Sequence, residues 1–243
     1  MAKIDRKKLL KEPDEFLTFS DRAVRWAKAH ARSLGLSTGA VVLVLAVVLG
    51  IQAYLNSRQA QGAAALAQAF GAYAEAVMGQ AEPAQAAEGV KALEAVVRQY
   101  GATDAGLQAS LALGGLHLRQ GQYDAAEKVL LALTEEPGLP AELAPLAWRG
   151  LAQALEGQKK YVEAAEAYQG AERVAGKRLG DLCQLDRARV LAAAGQTAQA
   201  QEILRALAGR SQDLTVSQVA RLRLVDLGVA PESLPNPVAT GQQ

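Results

Sequence analysis

The sequence is poor in the side chains that most often bind metals. It contains one cysteine, Cys183, and two histidines, His30 and His117, among 243 residues. A single cysteine cannot form a disulfide within one chain, and it excludes a zinc site built from several thiolates. Two histidines are too few for a histidine-rich metal centre. We therefore expect no cofactor and no bound metal.

Aromatic residues are scarce as well, at 5%, although half of the chain is hydrophobic. About one residue in five is alanine. Because alanine loses no side-chain entropy in a helix, this composition favours closely packed helices. A sheet protein would contain more β-branched and aromatic residues. The predicted fold class is all-α. The net charge of +1 excludes a strongly basic chain of the kind that binds nucleic acid.

One segment lacks charge altogether. No charged residue lies between Arg32 and Arg58, and the apolar stretch within this gap covers residues 34–55. A helix of that length spans roughly 33 Å, which matches a hydrocarbon core of about 30 Å. A cleaved signal peptide would have a shorter leader and a shorter apolar stretch. A buried core helix would need an apolar surrounding that the rest of the chain does not provide. We predict a transmembrane helix that contacts the lipid bilayer.

The flanking charges predict the orientation of this helix. Residues 1–33 contain nine lysines and arginines against five acids, whereas the next basic residue after Arg58 is Lys91. The positive-inside rule places the N-terminus in the cytoplasm and the remainder of the chain outside it. In a bacterium this describes a single-pass inner-membrane protein with a periplasmic domain.

The leader over residues 1–33 has a pattern of its own. Glu12 to Arg32 resembles a basic amphipathic helix with Trp26 at headgroup level. Two interpretations stay open. The helix lies on anionic lipid or contacts a membrane partner, or its charges serve only to orient the anchor.

The chain beyond the apolar stretch contains an internal repeat. A Gly-x-Tyr-x-x-Ala pattern at 121–126 recurs in altered form at 159–164 and 195–200. Tyr123, Tyr161 and Thr197 occupy the same place in the three copies. Each copy is preceded by a helical pattern at the same offset. Repeats of this length indicate stacked helical pairs, because one pair cannot bury its apolar face alone.

These units resemble tetratricopeptide repeats, and the unit 145–178 resembles them most closely. Its matching residues are Trp148, Leu151, Ala152, Leu155, Tyr161, Ala164, Tyr168 and Ala171. The units 107–140 and 181–214 match less well. The resemblance implies an α-solenoid of antiparallel helices that cross at small residues. We expect these residues to be Gly114, Ala126, Ala152, Ala164 and Ala200.

The flanks extend the predicted repeat domain to residues 58–227. Gln59–Gly79 and Ala84–Tyr100 are interpreted as a divergent first pair that is broken near Pro83. Thr215–Leu227 is interpreted as a last helix that caps the stack. Residues 228–243 contain three prolines and no helical pattern, so they are predicted to be a flexible tail.

No catalytic motif accompanies these repeats. The sequence contains no phosphate-binding loop, GxGxxG, HExxH or GxSxG. Cys183 lies within a predicted helix and is interpreted as an inert packed thiol. His117 lies at an inner repeat position and is interpreted as a structural histidine. We expect no catalytic residues and a protein that is not an enzyme.

The resemblance to tetratricopeptide repeats implies protein binding instead. In such arrays the first helix of each pair lines a concave groove that accepts protein segments. The repeat pattern places the following residues in a candidate partner groove: Gln108, Leu111, Arg119, Arg149, Gln153, Leu185 and Arg189.

The complete arrangement is similar to that of the ancillary subunit family of the SecYEG translocon, which combines one N-terminal anchor with periplasmic repeats. This resemblance implies a translocon-associated, chaperone-like subunit whose partners are translocon subunits, periplasmic chaperones or client polypeptides. The alternative is a structural scaffold of a cell-envelope machine that serves division, envelope constriction or secretion-system assembly. Gly35 and Gly39 have the spacing of a membrane dimer motif, so homo-oligomers are allowed.

Overall fold

The computed structural model describes residues 15–77, 83–210 and 213–234. Within these ranges the chain forms ten α-helices and one short 3₁₀ helix. Their bounds are α1 Glu15–Ala29, α2 Ala31–Val77, α3 Pro83–Tyr100, α4 Asp104–Arg119, α5 Tyr123–Thr134, α6 Ala144–Gly157, α7 Tyr161–Val174, α8 Lys177–Ala193, α9 Thr197–Arg210, α10 Leu214–Asp226 and the 3₁₀ helix Pro231–Ser233. The described residues contain no strand, and the predicted all-α class is confirmed.

The chain divides into two compact units, Met1–Ser57 and Arg58–Gln243. In the first unit, α1 ends at a turn residue, His30, within the helix predicted over Glu12–Arg32. The His30 ring stacks on Trp26 with centroids 4.9 Å apart, and Nδ1 of His30 lies 3.0 Å from the Trp26 carbonyl oxygen. These contacts close the C-terminal end of α1. Residues 1–14 of the predicted leader lie outside the described residues.

The apolar segment predicted over residues 34–55 lies within α2. Residues Ala31–Gly71 of this helix are long and apolar enough to cross a membrane, and the most apolar part of them buries no side chain within the protein. Exposed aliphatic side chains surround this part of the helix, for example Val41, Leu43 and Leu49.

The second unit contains two apolar cores. In the first, Leu66 and Ala69 of α2 pack with side chains from α3 and α4, among them Leu93 and Leu113. The start of this unit is tied to α3 by Arg58, whose guanidinium lies 5.0 Å from the centroid of the Tyr100 ring. The second core extends from α4 through α10 and consists mainly of alanine and leucine. The three predicted repeat units correspond to the pairs α4–α5, α6–α7 and α8–α9.

Four helices end in the same way, and this fixes the register of the repeats. A residue with positive φ follows α4, α6, α8 and α10, namely Gly121, Lys159, Gly195 and Gly228. After each of them, the next backbone N–H donates to the carbonyl five residues earlier, as Gln122 does to His117 at 2.9 Å. This is the Schellman arrangement, which satisfies the last carbonyls of a helix. Residues at equal distance before these four positions are therefore equivalent.

The small residues predicted at helix crossings are buried. Gly114 lies in the buried face of α4, and Ala126, Ala152, Ala164 and Ala200 are fully buried. A Cβ atom added to Gly114 would lie 2.5 Å from Cγ of Leu130. Close approach of the paired helices therefore depends on these residues.

The predicted tail over residues 228–243 is wrong at its beginning. Val229 is only 9% exposed, and Leu234 packs against the second core. Residues 231–233 form the 3₁₀ helix between them. Apolar side chains among the prolines hold this segment against the helices. Residues 235–243 lie outside the described residues.

Candidate partner groove

The first helices of the pairs follow one another along one side of the second unit. Gln59 at the start of this unit accepts a hydrogen bond from the Asp104 backbone N–H of α4 at 3.1 Å. Helix α4 packs against α6, and α8 packs against α10. Arg189 of α8 binds Glu156 of α6. The order along this side is therefore α2, α4, α6, α8 and α10.

The shared register identifies equivalent positions on the first helices. We compare the positions that lie ten, six and three residues before each of the four residues with positive φ. The first set contains Leu111, Arg149, Leu185 and Gln218; the second contains Gly115, Gln153, Arg189 and Leu222; the third contains Leu118, Glu156, Ala192 and Val225. Five of the seven residues predicted for the groove belong to the first two sets. Gln108 and Arg119 lie near the two ends of α4.

The N-terminal end of the groove is an apolar hollow of about 640 Å³ between α2 and α4. Its polar residues are Gln59, Asp104 and Gln108, of which only Gln108 was predicted. Its remaining walls are small or apolar: Ala60, Ala63, Leu66, Ala67, Phe70 and Ala105. Phe70 is 39% exposed. The α2 residues of this hollow were not predicted, because the first helical pair has no clear repeat signature.

The centre of the groove is a network of paired charges. The Arg189 guanidinium donates to both carboxylate oxygens of Glu156, one of them at 2.9 Å, and lies 3.5 Å from Asp186. Tyr168 donates to the same carboxylate at 3.3 Å. The bond from Arg189 holds the pKa of Glu156 below its usual range, against the opposing effect of burial. Arg223 of α10 donates to the Leu185 carbonyl at 2.5 Å.

Arg149 differs from these arginines. It is half-buried, and its Nε atom is buried without a hydrogen-bond partner among the described residues. Its charge acts on Cys183, which is fully buried. Burial raises the pKa of the Cys183 thiol to about 11, while Arg149 lowers it by a smaller amount. The predicted inert thiol is therefore fully buried, within range of the Arg149 charge.

The C-terminal end of the groove is a second apolar hollow, of about 350 Å³. It is lined by Gln218, Arg221, Leu222, Val225 and Leu234. Leu222 is 66% exposed and Val225 is 40% exposed. From the sequence, α10 was predicted only as a cap, and these residues were not among the predicted contacts. The repeat register would have found them, because they occupy the same positions as Arg189 and Ala192.

The seven predicted groove residues differ in exposure. Gln108, Arg119, Gln153 and Arg189 are exposed, and Leu111 and Arg149 are half-buried. Leu185 is only 5% exposed and belongs to the second core, which corrects its placement as a contact residue. It is covered because α10 packs onto this part of α8.

Two other polar clusters in the described part of the chain are closed by their own hydrogen bonds. His117 is 6% exposed, and its Nδ1 atom lies 2.6 Å from Oε1 of Gln122, so it has a structural partner. A polar hollow of about 470 Å³ lies among α7, α8 and α9, and hydrogen bonds between side chains bridge it. There Arg210 donates to Gln184 at 2.8 Å, and Gln184 donates to Glu172. Within the described residues no three His, Cys, Asp or Glu side chains are placed to hold a metal ion.

Comparison with known proteins agrees with this architecture. Residues 84–140 and 111–177 match the family model described as tetratricopeptide repeat. No curated protein matches the chain. The chain is similar to a crystal structure from Podospora anserina that contains nearly identical TPR-like repeats of a kinesin light chain. The TM-score is 0.54 and the sequence identity is 20%. That match covers 66% of this chain and 83% of the other. Residues 84–177 therefore match tetratricopeptide repeats, and the stacked helical pairs form a TPR-like α-solenoid.

Proposed function

We propose that this protein is a membrane-anchored, non-catalytic binding module whose first helices receive segments of partner proteins. The observation that carries this proposal is the row of first helices α2, α4, α6, α8 and α10. An apolar hollow lies at each end of this row. Tetratricopeptide repeats use such surfaces to bind proteins. The proposed contact residues are Gln108, Leu111, Arg119, Arg149, Gln153 and Arg189, together with Leu222 and Val225.

The proposed anchor is the apolar part of α2 over residues 34–55. The residues before it are rich in lysine and arginine, and the positive-inside rule then places the leader in the cytoplasm. The repeat domain lies in the periplasm of a bacterium in this arrangement. A client or partner would therefore meet the groove on the outer side of the inner membrane.

The specific role that we propose is a translocon-associated, chaperone-like subunit. It rests on the similarity in architecture to the ancillary SecYEG subunit family and on the two apolar hollows. Apolar hollows suit segments that have not yet buried their own apolar side chains. A chain emerging from a translocon exposes such segments.

Photocrosslinking tests this role in native membranes. A photoreactive residue replaces Leu45 in the anchor, Gln153 in the groove or Glu166 on the exposed side of α7, the last as the matched control. We expect Leu45 to crosslink a translocon subunit and Gln153 to crosslink several secreted chains, with no crosslinks from Glu166. One dominant folded partner at Gln153, without a translocon crosslink, would support the envelope-scaffold alternative instead.

A further inference from the structure

Helix α1 separates basic side chains from apolar ones. Each helical residue is rotated by about 100° from the one before it, so residues at intervals of three stay on one side. Arg22, Arg25 and Lys28 have this spacing and occupy about a third of the circumference of α1. Ala27 lies opposite to them, and Trp26 lies outside the basic third. A basic side and an apolar side are typical of helices that lie on membrane surfaces.

No side of this helix is covered in the described part of the chain. Val24 is 51% exposed and Trp26 is 58% exposed, and the three basic side chains are exposed as well. Arg25 donates to the Asp21 backbone carbonyl at 3.2 Å. Among the described residues, none of the three basic side chains forms an ion pair. The complementary surface is therefore anionic and has an apolar layer beside its charges.

The end of α1 bears on the two interpretations of the leader. Helix α1 stops before His30, and α2 begins directly after it. The Ser33 hydroxyl donates to the His30 carbonyl at 2.9 Å, and side-chain bonds of this kind occur where a helical ladder is interrupted. An interruption allows α1 to lie along the membrane surface while α2 crosses the membrane. Charges that only orient an anchor require no separate helix, because the positive-inside rule counts charges near the span.

The position of α1 beside the anchor favours lipid as the occupant. Lys28 lies six residues before the apolar stretch of residues 34–55, so the basic side chains lie close to headgroup level. Arg22 and Lys28 are about 9 Å apart along the helix axis, which suits contacts with separate headgroups. Tryptophan is enriched at this level of the membrane, because its ring is apolar and its N–H is polar.

We propose that α1 binds anionic phospholipid headgroups, with Arg22, Arg25 and Lys28 on headgroup phosphates and Ala27 towards the acyl chains. The inference rests on the anchor and orientation given in the proposed function, and it adds a lipid site on the cytoplasmic side. It concerns α1 alone and does not involve the groove.

The test measures the depth of α1 in lipid nanodiscs that hold the full chain. Ala27→Cys places a nitroxide label on the apolar side of α1, and Ala29→Cys places one among the basic residues. Neither change removes a charge. The natural Cys183 is fully buried, so the added cysteine is the one that reacts. Collisions with oxygen, which concentrates in lipid, and with a water-soluble nickel chelate report the surroundings of each label.

In nanodiscs of phosphatidylcholine and phosphatidylglycerol, we expect the label at Ala27 to collide mainly with oxygen and the label at Ala29 mainly with nickel. Pure phosphatidylcholine should reduce this contrast at least about fivefold, because each basic residue near an anionic surface strengthens binding by about that factor. Arg22→Gln, Arg25→Gln and Lys28→Gln together should have the same effect in the anionic nanodiscs. The matched control should keep the contrast; it replaces with Gln three exposed basic residues of the repeat domain, Lys91, Lys128 and Arg173.

Three outcomes would overturn the inference and leave the groove in place. Equal accessibility of the two labels in anionic nanodiscs would mean that the charges only orient the anchor. A contrast found in native membrane vesicles but not in nanodiscs would identify a membrane protein as the occupant. A contrast of the same size in pure phosphatidylcholine would exclude recognition of anionic headgroups. A chain that fails to enter nanodiscs at all would overturn the anchor of the proposed function as well.

Discussion

Lys159 occupies a backbone conformation that the other three repeats give to glycine. Its φ is 62°, close to the values of Gly121 and Gly195 at the equivalent positions. A side chain in this left-handed region costs free energy, because Cβ approaches the following carbonyl oxygen. Glycine avoids that cost. The turn between α6 and α7 is therefore less favourable than its counterparts.

Lys159→Gly should raise the free energy of unfolding by about 0.5–1 kcal/mol, since the relief of strain exceeds the added entropy of the unfolded chain. Urea unfolding followed by Trp148 fluorescence measures the change. Lys128→Gly, in the exposed interior of α5, is the control and should lower stability by about 1 kcal/mol. A loss of stability in Lys159→Gly would contradict the explanation.

Cys183 should be unreactive in the folded protein. Its side chain is fully buried, and burial raises the pKa of its thiol to about 11, so very little thiolate exists near neutral pH. We expect negligible modification by a maleimide at pH 7 and complete modification in urea, with mass spectrometry as the readout. Rapid labelling of the native chain would show that α8 opens or that the thiol is exposed.

The repeat pattern predicted some close contacts between helices but not others. Ala152 and Ala164 were assigned because the repeat places small residues there. Gly157 and Gly170 were not assigned, although Cβ atoms at these positions would overlap the rings of Tyr123 and Trp148. In the sequence, a glycine within a helix indicates only a low helix propensity. Its partner ring lies on another helix, so the contact requires the three-dimensional arrangement.

Among the helices, Gly170 and Gly115 provide a matched pair for testing this packing. A Cβ atom on Gly170 in α7 would lie 2.5 Å from Cε3 of Trp148, whereas one on Gly115 in α4 would meet nothing within 4 Å. Gly115→Ala should stabilise the protein by about 0.5–1 kcal/mol through helix propensity. Gly170→Ala should destabilise it by about 1–3 kcal/mol through overpacking. Thermal unfolding measures the change in stability of each variant. Stability changes of the same sign in both variants would contradict this explanation.

Glu156 and Arg189 link α6 to α8, and their pair predicts a pH dependence. The pKa of Glu156 is lowered in the folded chain, mainly by its hydrogen bonds from Arg189. Its contribution is therefore complete above the ordinary carboxylate pKa of about 4.3 and is lost as the pH falls through the lowered value. A partly exposed pair of this kind contributes about 0.2–1 kcal/mol.

Glu156→Gln should therefore cost stability at pH 7, and the cost should shrink towards acidic pH. Urea unfolding at a series of pH values gives this difference for each variant. Glu166→Gln on the exposed side of α7 is the control for removing a carboxylate that lies outside this pair. A cost in Glu156→Gln that stays constant across the series would mean that the carboxylate charge does not stabilise the fold.

The hydrophobic periodicity of α10 does not predict which face of this helix is buried. Its apolar residues occur on every side of the helix, so the sequence alone does not distinguish the buried Val216 and Leu224 from the exposed Leu222 and Val225. The same limitation placed Leu185 in the groove, since its burial depends on α10. The helices themselves were predictable because alanine spacing and turn residues are local signals. The two hollows depend on neighbouring helices and were not.

Charge is distributed unevenly along the whole chain, and this distribution predicts the orientation of the membrane helix. The leader is basic, whereas the repeat domain carries slightly more acids than bases. Only charges close to a membrane helix influence its orientation, because long domains cross the membrane largely regardless of their charge. The proposed topology should therefore depend on the basic residues directly before α2 and its apolar stretch.

Replacement of Arg22, Arg25, Lys28 and Arg32 by Gln should convert a single orientation into a mixture. Protease added to spheroplasts digests the repeat domain only when it lies outside the inner membrane, so the digested fraction measures orientation. A control variant replaces four exposed basic residues of the repeat domain: Lys91, Lys128, Arg173 and Arg205. It should remain fully digested. Equal digestion of both variants would show that the leader charges do not orient the anchor, and the leader would then be free to serve a lipid or protein contact of its own.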